Sequence, residues 1–588
     1  MKLIKVGAAV LNQTPLDWDG NQRRMLDAIE EARDQDVSLL CLPELCITGH
    51  GCEDSFQSPA VQKMALRILK EVLPASEGMI VAVGLPLLYR KALFDAVALL
   101  VDGDLAGFVC KRYLAGDGLY YEPRWFKPWP EGQRGEVAFD GSRYPLGDLF
   151  FVADGVAIGF EICEDAWVAD RPGSGLAARG VDLLLNPSAS HFAFGKHDVR
   201  QRFVLEGSRA FGVSYVYANL LGNESGRMIF DGGALIASGG RLLAAGSRFS
   251  FADFEITTAV VDVDETRMQQ SRTGSYRPDL ATGFDNRVTV DYGFRELEPE
   301  TSTVEVVSLQ QASFLKEEAF TRAIALALFD YLRKSRSRGF VVSLSGGADS
   351  SATACLVALM IHFAHQALGE AGFRDKLSYL GPADARTVED WIHELLLCVY
   401  QSTRNSSDTT RDAASQLAEA IGAEFLELDV DALVQGYTEL ISQAIGRELD
   451  WQRDDIALQN IQARVRSPSV WMLANLRGAL LLSTSNRSEA AVGYATMDGD
   501  TSGGLSPIAG IDKTFLRRWL RWLETDGPDG LAPIPALAAV NAQAPTAELR
   551  PPGADQTDEQ DLMPYDLLDA IERAAIRDKK APVEVLRT

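Results

Sequence analysis

Short apolar runs and amphipathic stretches alternate along the first half of the chain. The spacing of hydrophobic positions over 21–34 predicts an amphipathic helix. Short runs rich in β-forming residues predict strands at 1–10, 37–42, 79–83, 156–162, 181–185 and 214–218. Strands that alternate with helices are typical of a layered α/β domain.

A polar and irregular stretch separates this part from a second α/β pattern. We predict a domain at 1–265, an inter-domain linker at 266–313 and a second domain at 314–588.

The second domain begins with a helix at 314–335, which is followed by a strand at 339–345, a Gly-rich turn and an apolar helix at 351–368. The order strand, loop, helix is typical of a nucleotide-binding α/β unit. Farther along, 525–561 is rich in Pro, Gly, Ala and acidic residues. We expect a long surface loop there, and its order could depend on a ligand.

The composition is that of a folded protein with more than one hydrophobic core. Hydrophobic residues make up 46% of the 588 residues and charged residues 24%, and a domain usually has about 100–200 residues. The 82 acidic residues outnumber the 57 basic ones and give a formal charge of −25. This balance disfavours non-specific binding to nucleic acid.

The numbers and spacing of cysteine and histidine indicate the cellular compartment and exclude some kinds of site. The seven cysteines contain no CxxC pair and no even disulfide framework, so we expect a reducing cytoplasm. No signal-peptide pattern and no run of about 18 uninterrupted apolar residues occurs, so we expect no membrane partner. The six histidines argue against a His-rich metal site and a Ser-His-Asp triad.

One Gly-rich turn follows a predicted strand and opens a predicted helix. It reads Ser345-Gly346-Gly347-Ala348-Asp349-Ser350 and is followed by Ser351. Two glycines let the backbone approach a phosphate, and the helix N-terminus and the hydroxyls of 345, 350 and 351 supply donors. Asp349 would repel a bare phosphate, so a bridging Mg²⁺ is the simple way to make it useful. A tight turn capped by Ser and Asp is the structural alternative, and the Walker form with its Lys is absent.

This turn resembles the PP-loop of ATP pyrophosphatases, which cleave ATP between the α- and β-phosphates. Several families share that loop. The stretches at 460–466 (NIQARVR), 483–494 (STSNRSEAAVGY) and 504–510 (GLSPIAG) resemble the NAD synthetase members. The resemblance implies a doubly wound parallel sheet, adenylation of the nicotinate carboxylate of deamido-NAD by ATP, and displacement of AMP by ammonia.

The same resemblance implies roles for individual residues. Asp349 and Glu489 would hold Mg²⁺, and Thr484 and Lys513 would contact ATP together with the PP-loop residues. The residues implied to contact deamido-NAD are Asn460, Arg464, Glu489 and Lys579. An isolated Arg464 or Lys579 is also compatible with a solvated surface residue.

Two further segments of this half bear on the match. The run at 403–407 (TRNSS) resembles a second phosphate-facing loop of the family, where hydroxyls and an Arg could bind the departing pyrophosphate. Met497 stands where smaller relatives often carry Lys. Which groups contact the dinucleotide there stays open.

In the first half, three chemically active side chains follow predicted strands. Glu44 lies in 42–45 (LPEL), Lys111 follows Cys110, and Cys163 ends a third run. Singly, Cys163 is most simply a core thiol, Glu44 a helix N-terminal charge and Lys111 a surface cation. At strand ends, however, a carboxylate, an ammonium and a thiol can converge on one rim.

Together these residues resemble the Glu-Lys-Cys triad of the nitrilase (carbon–nitrogen hydrolase) superfamily, over most of 1–265. The resemblance implies an α-β-β-α sandwich in which Glu44 takes the proton of the Cys163 thiol, the sulfur attacks a carboxamide carbon, and Lys111 stabilises the oxyanion. An adjacent ammonium also favours the thiolate. Glu122 matches a further acidic position of the family.

Other positions match the glutamine-binding parts of this superfamily. Ser190 and Lys196 lie in a segment that resembles the holder of the glutamine α-amino acid group, and Tyr121 precedes Glu122. Cys46, His50 and Cys52 match no zinc spacing. Their loop resembles one in glutamine-dependent NAD synthetases, where a Tyr is expected at His50.

A thiol amidase that releases ammonia and a ligase that consumes it have complementary needs. The fused chain is therefore similar to the glutamine-dependent NAD synthetases, which implies Mg²⁺, ATP as co-substrate and a homo-oligomer. Three alternatives stay open. They are a PP-loop amidotransferase for another carboxylate or base, as in GMP or asparagine synthesis, a nucleotide-sensing or assembly protein with a scaffold amidase, and a purely ammonia-dependent synthetase.

Overall fold

The apolar runs of the first half form two mixed β-sheets that pack face to face. The computed structural model describes residues 1–280, 286–299, 316–381, 386–546, 548–551 and 557–587. The chain divides into two units, Met1–Phe314 and Leu315–Thr588.

The strands of the first unit are β1 (Leu3–Leu11), β2 (Leu39–Cys41), β3 (Ile80–Tyr89), β4 (Ala92–Val101), β5 (Asp104–Cys110), β6 (Arg134–Phe139), β7 (Ser142–Gly147), β8 (Phe150–Ala153), β9 (Val156–Phe160), β10 (Leu183–Ser188), β11 (Ser214–Asn219), β12 (Leu221–Asn223), β13 (Ile229–Asp231), β14 (Leu235–Ser238), β15 (Arg241–Ala245), β16 (Phe254–Asp262) and β17 (Arg287–Val290). Its helices are α1 (Trp18–Asp34), α2 (Pro59–Val72), α3 (Glu122–Trp125), α4 (Pro172–Ala178), α5 (Lys196–Phe211) and α6 (Val263–Arg272).

The two sheets form the middle of a four-layer sandwich. The first sheet has the order β16-β1-β2-β3-β4-β5-β7-β6, and the second has the order β15-β14-β11-β10-β9-β8-β17. Strands β1 and β2 contact β10 and β11 across the interface, while α1 and α2 cover the first sheet and α4 and α5 cover the second. Because both faces of each sheet are covered, the central strands are buried along most of their length. The predicted α-β-β-α sandwich is confirmed.

The first part of the segment predicted as a linker, 266–313, belongs to the first unit in the structure. Helix α6 continues to Arg272, and β17 pairs in parallel with β8 at the edge of the second sheet. The structure therefore places these residues in the first unit. Residues 300–315 lie outside the described part of the chain.

The second unit is built on four parallel strands, β18 (Phe340–Ser343), β19 (Leu396–Ser402), β20 (Glu424–Asp429) and β21 (Leu480–Leu482). Its helices are α7 (Lys316–Ser335), α8 (Ala348–Lys376), α9 (Val388–Leu395), α10 (Asp408–Ile421), α11 (Asp431–Ile445), α12 (Asp455–Arg477), α13 (Arg487–Val492), α14 (Lys513–Thr525), α15 (Ala538–Asn541), α16 (Asp558–Asp561), α17 (Tyr565–Glu572) and α18 (Pro582–Val585).

The four parallel strands lie in the order β20-β19-β18-β21. Strands β19 and β20 are added on one side of β18 and β21 on the other side, so the order of addition reverses between β18 and β21. Helix α12 packs on one face through Val470 and Ala474, and α8 places Cys355 near Cys398 on the other. This confirms a doubly wound parallel sheet. In such sheets ligands bind beyond the carboxyl ends of the strands at the reversal point. The predicted PP-loop follows β18, and Thr484 follows β21.

Helix α8 is the only helix among the described residues that is long and apolar enough, by length and composition, to cross a membrane. Most of its most apolar window, 67%, is buried inside the fold. The helix packs on β18 and β19, so its apolar residues belong to the core of this unit. The helix breaks at Gly369, directly after the predicted end at residue 368.

The segment 525–561 is more ordered than the long loop predicted for it. Its described part contains α15, α16 and a 3₁₀ turn at Pro535–Leu537. Leu537 and Val540 are buried, as is Leu549, and α15 packs on α14. The apolar residues interspersed among Pro and Gly anchor the segment to the domain.

Candidate active sites

Strand ends of both sheets bring the amidase residues together. Glu44 follows β2 and Lys111 directly follows β5, both in the first sheet, whereas Cys163 follows β9 in the second sheet and begins a 3₁₀ turn, Cys163–Ala166. Glu122 is the first residue of α3. Because the sheets face each other, the carboxyl ends of their strands can meet at one edge of the sandwich.

Lys111 is the centre of a buried charged cluster. Its Nζ donates a hydrogen bond to Glu44 Oε1 and another to Glu122 Oε2 at 2.7 Å, and it lies 3.4 Å from Asp95 Oδ2. Lys111 and Glu44 are 0% exposed, and Asp95 and Glu122 are 1% exposed. Such a cluster is stable only if its charges are matched, since each unpaired buried charge costs several kcal/mol, roughly. The structure brings all four predicted catalytic residues to this region.

The cluster shifts the pKa values of its members in opposite directions. Burial alone would lower the pKa of Lys111, but the carboxylates of Glu122, Glu44 and Asp95 raise it well above its ordinary value. Burial would raise the pKa of Glu122, but Lys111 and His50 lower it to about 2. The Lys111 ammonium and the Glu122 carboxylate are therefore both charged at neutral pH.

Cys163 combines a strained backbone conformation with a fully buried thiol. Its φ of 45° lies in the left-handed region that non-glycine residues rarely adopt. Burial, followed by the charge of Glu44, raises the pKa of its thiol well above the ordinary value, and Lys111 only partly opposes this. Lys111 therefore acts on the Cys163 thiol in the expected direction, toward the thiolate, but does not overcome the effect of burial on the pKa.

The three predicted glutamine-binding residues differ in their burial and in their contacts within the protein. Lys196 Nζ lies 5.3 Å from the ring centroids of both Tyr120 and Trp167, and burial followed by Arg200 lowers its pKa to about 8. The Ser190 hydroxyl accepts a hydrogen bond from Arg200 Nε at 3.1 Å. The Ser190 hydroxyl therefore already accepts one hydrogen bond within the protein.

Tyr121 does not join this group, because its side chain is 56% exposed. The neighbouring Tyr120 is buried instead, and its hydroxyl donates to the Ala189 carbonyl at 2.9 Å. Tyr120, rather than Tyr121, is therefore the tyrosine of this motif that lies beside Lys196. The sequence motif contained both tyrosines and gave no signal for choosing between them.

His50 lies beside the cluster but does not indicate a metal site. Its Nε2 is 3.7 Å from Glu122 Oε1, and ligand atoms of Glu44, His50 and Glu122 all lie within 4.8 Å of one another. The Lys111 ammonium already bonds both of these carboxylates and so supplies the cation. The thiols of Cys46 and Cys52 donate to backbone carbonyls of Gly84 and Thr48, as core thiols do.

In the second unit, the PP-loop forms a compact turn at the N-terminus of α8. Ser350 Oγ accepts from the Ser345 amide at 3.1 Å and lies 3.0 Å from Ser345 Oγ. Gly346 has φ +81°, and a Cβ there would collide with the Thr410 carbonyl. Gly347 is the N-cap of the helix. This geometry leaves the first amides of α8 available to an anion.

Asp349 and Glu489 meet at the ammonium of Lys513. Lys513 Nζ donates to Asp349 Oδ2 and to Glu489 Oε1 at 3.1 Å, and Asn486 Nδ2 donates to Asp349 Oδ1 at 2.8 Å. Burial and the charge of Asp349 raise the pKa of Glu489 to about 7 despite Lys513. Two converging carboxylates with excess negative charge suit Mg²⁺, which prefers oxygen ligands.

A cavity of about 220 Å³ adjoins these residues. Among the predicted ATP contacts it is lined by Ser345, Gly347, Ala348, Asp349, Ser350, Thr484 and Lys513. Ser351 is buried below it in α8, and Gly346 lies against Thr410. Arg404 of the second loop pairs with Asp431 at 2.8 Å, whereas Ser406 lines the cavity.

Two residues of this cavity carried no sequence prediction. Arg466 lines it, and its Nε has no hydrogen-bond partner in the described part of the chain. Glu548 accepts hydrogen bonds from Ser407 Oγ at 2.7 Å and Thr410 Oγ1 at 2.8 Å. Arg466 stood in the NIQARVR motif, so its position was a usable signal. Glu548 lies in the Pro-rich segment, where no motif pointed to it.

The predicted deamido-NAD contacts are divided between two places. Asn460 and Arg464 of α12 line a second cavity, and Arg464 Nε donates to the Met497 carbonyl at 3.0 Å. Glu489 lines the first cavity. Lys579 is exposed and lines neither cavity, so the structure does not bring it to the others.

Comparison with known proteins agrees with this division of chemistry. Residues 5–273 match the carbon-nitrogen hydrolase family and residues 320–588 match the NAD synthase family. The glutamine-dependent NAD(+) synthetase of Bos taurus is 32% identical over 605 aligned positions, which cover 95% of this chain and 83% of that protein.

Solved structures give the same result. The glutamine-dependent NAD(+) synthetase from Cytophaga hutchinsonii is 41% identical with a TM-score of 0.82, covering 99% of this chain and 88% of that chain. The glutamine-dependent NAD+ synthetase from Acinetobacter baumannii, solved in complex with ADP, is 22% identical with a TM-score of 0.69 over 100% and 90% of the two chains, which bears on the fold alone. With a Glu-Lys-Cys cluster in one unit, a PP-loop in the other and relatives matched along nearly the whole chain, this protein belongs to the glutamine-dependent NAD(+) synthetases.

Proposed function

We propose that Cys163, Glu44, Lys111 and Glu122 carry out the glutaminase half of the reaction. The Cys163 thiol gives its proton to Glu44 as the sulfur attacks the carboxamide carbon of glutamine, and Lys111 stabilises the resulting oxyanion. Collapse of this intermediate expels ammonia, which takes up the proton from Glu44. Water then hydrolyses the thioester to glutamate and restores the thiol. Lys196 and Ser190 are proposed to bind the amino acid end of glutamine.

The second unit is proposed to carry out adenylation and amide formation. A carboxylate oxygen of deamido-NAD attacks the α-phosphorus of ATP and releases pyrophosphate, and ammonia then displaces AMP to give NAD. The PP-loop amides, Thr484 and Lys513 would hold the phosphates, while Asn460 and Arg464 would contact the dinucleotide. Mg²⁺ held by Asp349 and Glu489 would neutralise phosphate charge.

Further parts of the proposal concern the surroundings of the enzyme. The seven cysteines are all free thiols in the structure, which supports a cytoplasmic location. Five large hydrophobic side chains are exposed along α11, at 433, 437, 440, 441 and 445, which supports a homo-oligomer. The strongly acidic composition supports small-molecule substrates rather than a nucleic-acid partner.

The observation that carries the glutaminase proposal is the Lys111 ammonium held between Glu44 and Glu122 beside the strained nucleophile. The test is NAD formation from deamido-NAD, ATP and Mg²⁺ with either glutamine or ammonium. Cys163→Ala should abolish activity with glutamine and retain it with ammonium. Cys52→Ala, which removes another buried thiol of the same unit, should retain both.

Other results would change the proposal. Loss with both nitrogen sources would mean that Cys163 is structural. Retention of glutamine-dependent activity by Cys163→Ala would remove the proposed nucleophile. Absence of NAD from the wild type with either source would favour another acceptor, and a screen of carboxylates for AMP release would identify it.

A further inference from the structure

Asp95 is a buried acid that the triad does not explain. It lies in β4, between the β3 and β5 strands of the first sheet, and its carbonyl accepts a hydrogen bond from the Lys111 amide at 2.9 Å. Its side chain is 1% exposed and points at the catalytic lysine, with Oδ2 3.4 Å from Lys111 Nζ. A fully buried acid in an otherwise apolar strand must be compensated by neighbouring groups.

Four carboxyl oxygens of this cluster lack a hydrogen-bond donor within the described residues. They are both Asp95 oxygens, Glu44 Oε2 and Glu122 Oε1. The Asp95 and Glu44 carboxyl groups are nevertheless in hydrogen-bonding contact with each other. Two ionised carboxylates in contact repel each other and leave both acceptors unsatisfied, whereas one proton between them supplies the missing donor.

The charges around Asp95 also favour a protonated Asp95. The groups that face Asp95 are Glu44 from the turn after β2, Lys111 after β5 and Glu122 from α3. Cys110 at the end of β5 also senses the Asp95 charge, but its thiol is neutral, as is that of Cys163. His50, whose Nε2 lies 3.7 Å from Glu122 Oε1, is influenced by Glu122 and Glu224 and is not among the groups that act on Asp95. Lys111 is the one cation among the groups that face Asp95, and Glu44 and Glu122 already face it, so an ionised Asp95 would add a third carboxylate around one ammonium.

The pKa values agree with this count. Burial and the charge of Glu44 raise the pKa of Asp95 well above its ordinary value, although Lys111 opposes them. A neutral carboxylic acid can donate a hydrogen bond, which an ionised one cannot. Asp95 therefore has the protonation state that the unsatisfied oxygens of its neighbour require.

We propose that Asp95 is a positioning residue of the glutaminase reaction, whose carboxylic acid proton is donated in a hydrogen bond to Glu44. The bond holds the Glu44 carboxylate in one orientation next to Lys111 and avoids a third negative charge in the buried cluster. Glu44 remains the base that receives the Cys163 proton. Asp95 is proposed to act through Glu44, not directly on the sulfur or on glutamine. The inference rests on the proposed roles of Glu44, Lys111 and Cys163.

The test compares Asp95→Asn with Asp95→Ala in the full-length enzyme. Asn keeps a neutral donor of the same shape, so glutamine-dependent NAD formation at neutral pH should stay within about threefold of wild type. Ala removes the donor, so kcat with glutamine should fall by about tenfold or more, with little change in KM for glutamine. Both variants, and the exposed-site control Asp104→Ala, should keep their ammonium-dependent activity.

A pH profile separates this role from simple packing. Wild-type glutaminase activity should fall on the alkaline side as Asp95 loses its proton, and Asp95→Asn should shift that limb upward by about half a pH unit or more. The comparison is informative even if Asp95→Ala fails to fold. Equal loss in both variants, or an Asn variant with an unchanged alkaline limb, would overturn the proposal. A Cys163→Ala enzyme that still used glutamine would instead refute the triad itself.

Discussion

At the scale of single residues, the glutamine site depends on the balance of a few buried charges. His50 belongs to this balance. Burial alone would lower the pKa of its imidazole, but the nearby carboxylate of Glu122 and the charges of Glu44 and Glu224 raise the pKa above its ordinary value. Glu224 also fixes the loop, because it accepts hydrogen bonds from the His50 and Gly51 amides at 2.8 and 2.7 Å.

This raised pKa makes the stability contribution of His50 depend on pH. A group with a raised pKa in the folded state stabilises fully below its unfolded pKa of about 6.5, and the contribution is lost as pH rises through the folded value. His50→Gln should therefore lower the unfolding temperature of the first unit by roughly 2–4 °C near pH 6. At about pH 9 the difference should be smaller. Thermal unfolding of both proteins at the two pH values measures this.

The exposed residue His393, which lies in α9 of the second unit, provides the control. His393→Gln should leave the unfolding temperature of the first unit unchanged at both pH values. If His50→Gln lowered stability equally at both, the imidazole would contribute packing rather than charge, and the charge balance drawn for the cluster would be wrong.

The sequence identified some of these residues and missed others for a physical reason. Glu44, Lys111 and Cys163 each follow a strand and match a family pattern, so a motif could find them. Asp95 lies in the middle of β4, where its role comes from contacts with Glu44 and Lys111 across neighbouring strands. A contact between side chains that lie in or follow different strands has no signature within the sequence of either strand. Its one signal was an acid among apolar residues.

At the scale of elements, the described part of the Pro-rich segment lines the cavity that adjoins the PP-loop. Glu548 accepts hydrogen bonds from the Ser407 amide and hydroxyl and from the Thr410 hydroxyl. These groups lie at the N-terminus of α10, where a negative charge is stabilised. The Leu549 carbonyl accepts a further bond from Gln462 Nε2 at 2.6 Å. The contacts attach the segment to the loop at 403–407.

Removing this carboxylate should loosen the segment. Glu548→Ala loses charge-assisted hydrogen bonds worth about 1.5–3 kcal/mol in total. Because the open state that a protease can cleave would then be populated more often, proteolytic nicking within 525–561 should become at least about tenfold faster. Limited proteolysis without ATP, followed by mass spectrometry of the fragments, measures the rate and the cleavage sites.

A substitution on the exposed surface of α10, the helix whose N-terminus Glu548 contacts, serves as the control. Glu419 of α10 is exposed, and Glu419→Ala should not change the cleavage rate. Unchanged cleavage in Glu548→Ala would mean that the buried side chains of Leu537, Val540 and Leu549 are sufficient to hold the segment.

Prediction of elements from the sequence succeeded where local pattern determines structure. The helix predicted at 21–34 is observed as α1, and the strand at 214–218 as β11. Strands β4, β6 and β7 and the edge strand β17 were not predicted. For β17 the reason is that it pairs with β8, which is distant in sequence. The apolar anchors of 525–561 were hidden by the high content of Pro and Gly around them.

At the scale of the whole molecule, each unit contains the residues that we propose for one half-reaction. The amidase cluster lies entirely within Met1–Phe314, and the PP-loop, its carboxylates and the dinucleotide-binding candidates lie within Leu315–Thr588. This is why the composition and the two sets of motifs were enough to predict both folds. Association between copies of the chain has no comparable motif, and it must be inferred from surfaces.

One surface of the second unit has the character of a contact between copies. Helix α11 exposes Leu433, Tyr437, Leu440, Ile441 and Ile445 at helical spacing, with exposed fractions between 46% and 60%. Tyr437 and Ile441 also line the cavity that contains Asn460 and Arg464 of α12. An apolar stripe next to a proposed dinucleotide site suits a second copy of the same chain, since an isologous contact would cover two such stripes at once.

Leu440→Glu should therefore disrupt the oligomer, because a buried contact would place two unpaired carboxylates against apolar side chains. Sedimentation velocity at micromolar concentration should show a smaller particle than wild type, and NAD formation with ammonium should decrease if the second cavity is completed by the partner copy. Glu439→Lys, an exposed substitution on the opposite side of the helix, should change neither. A wild type that sediments as a single chain, or a Leu440→Glu particle of unchanged size, would exclude α11 as the contact.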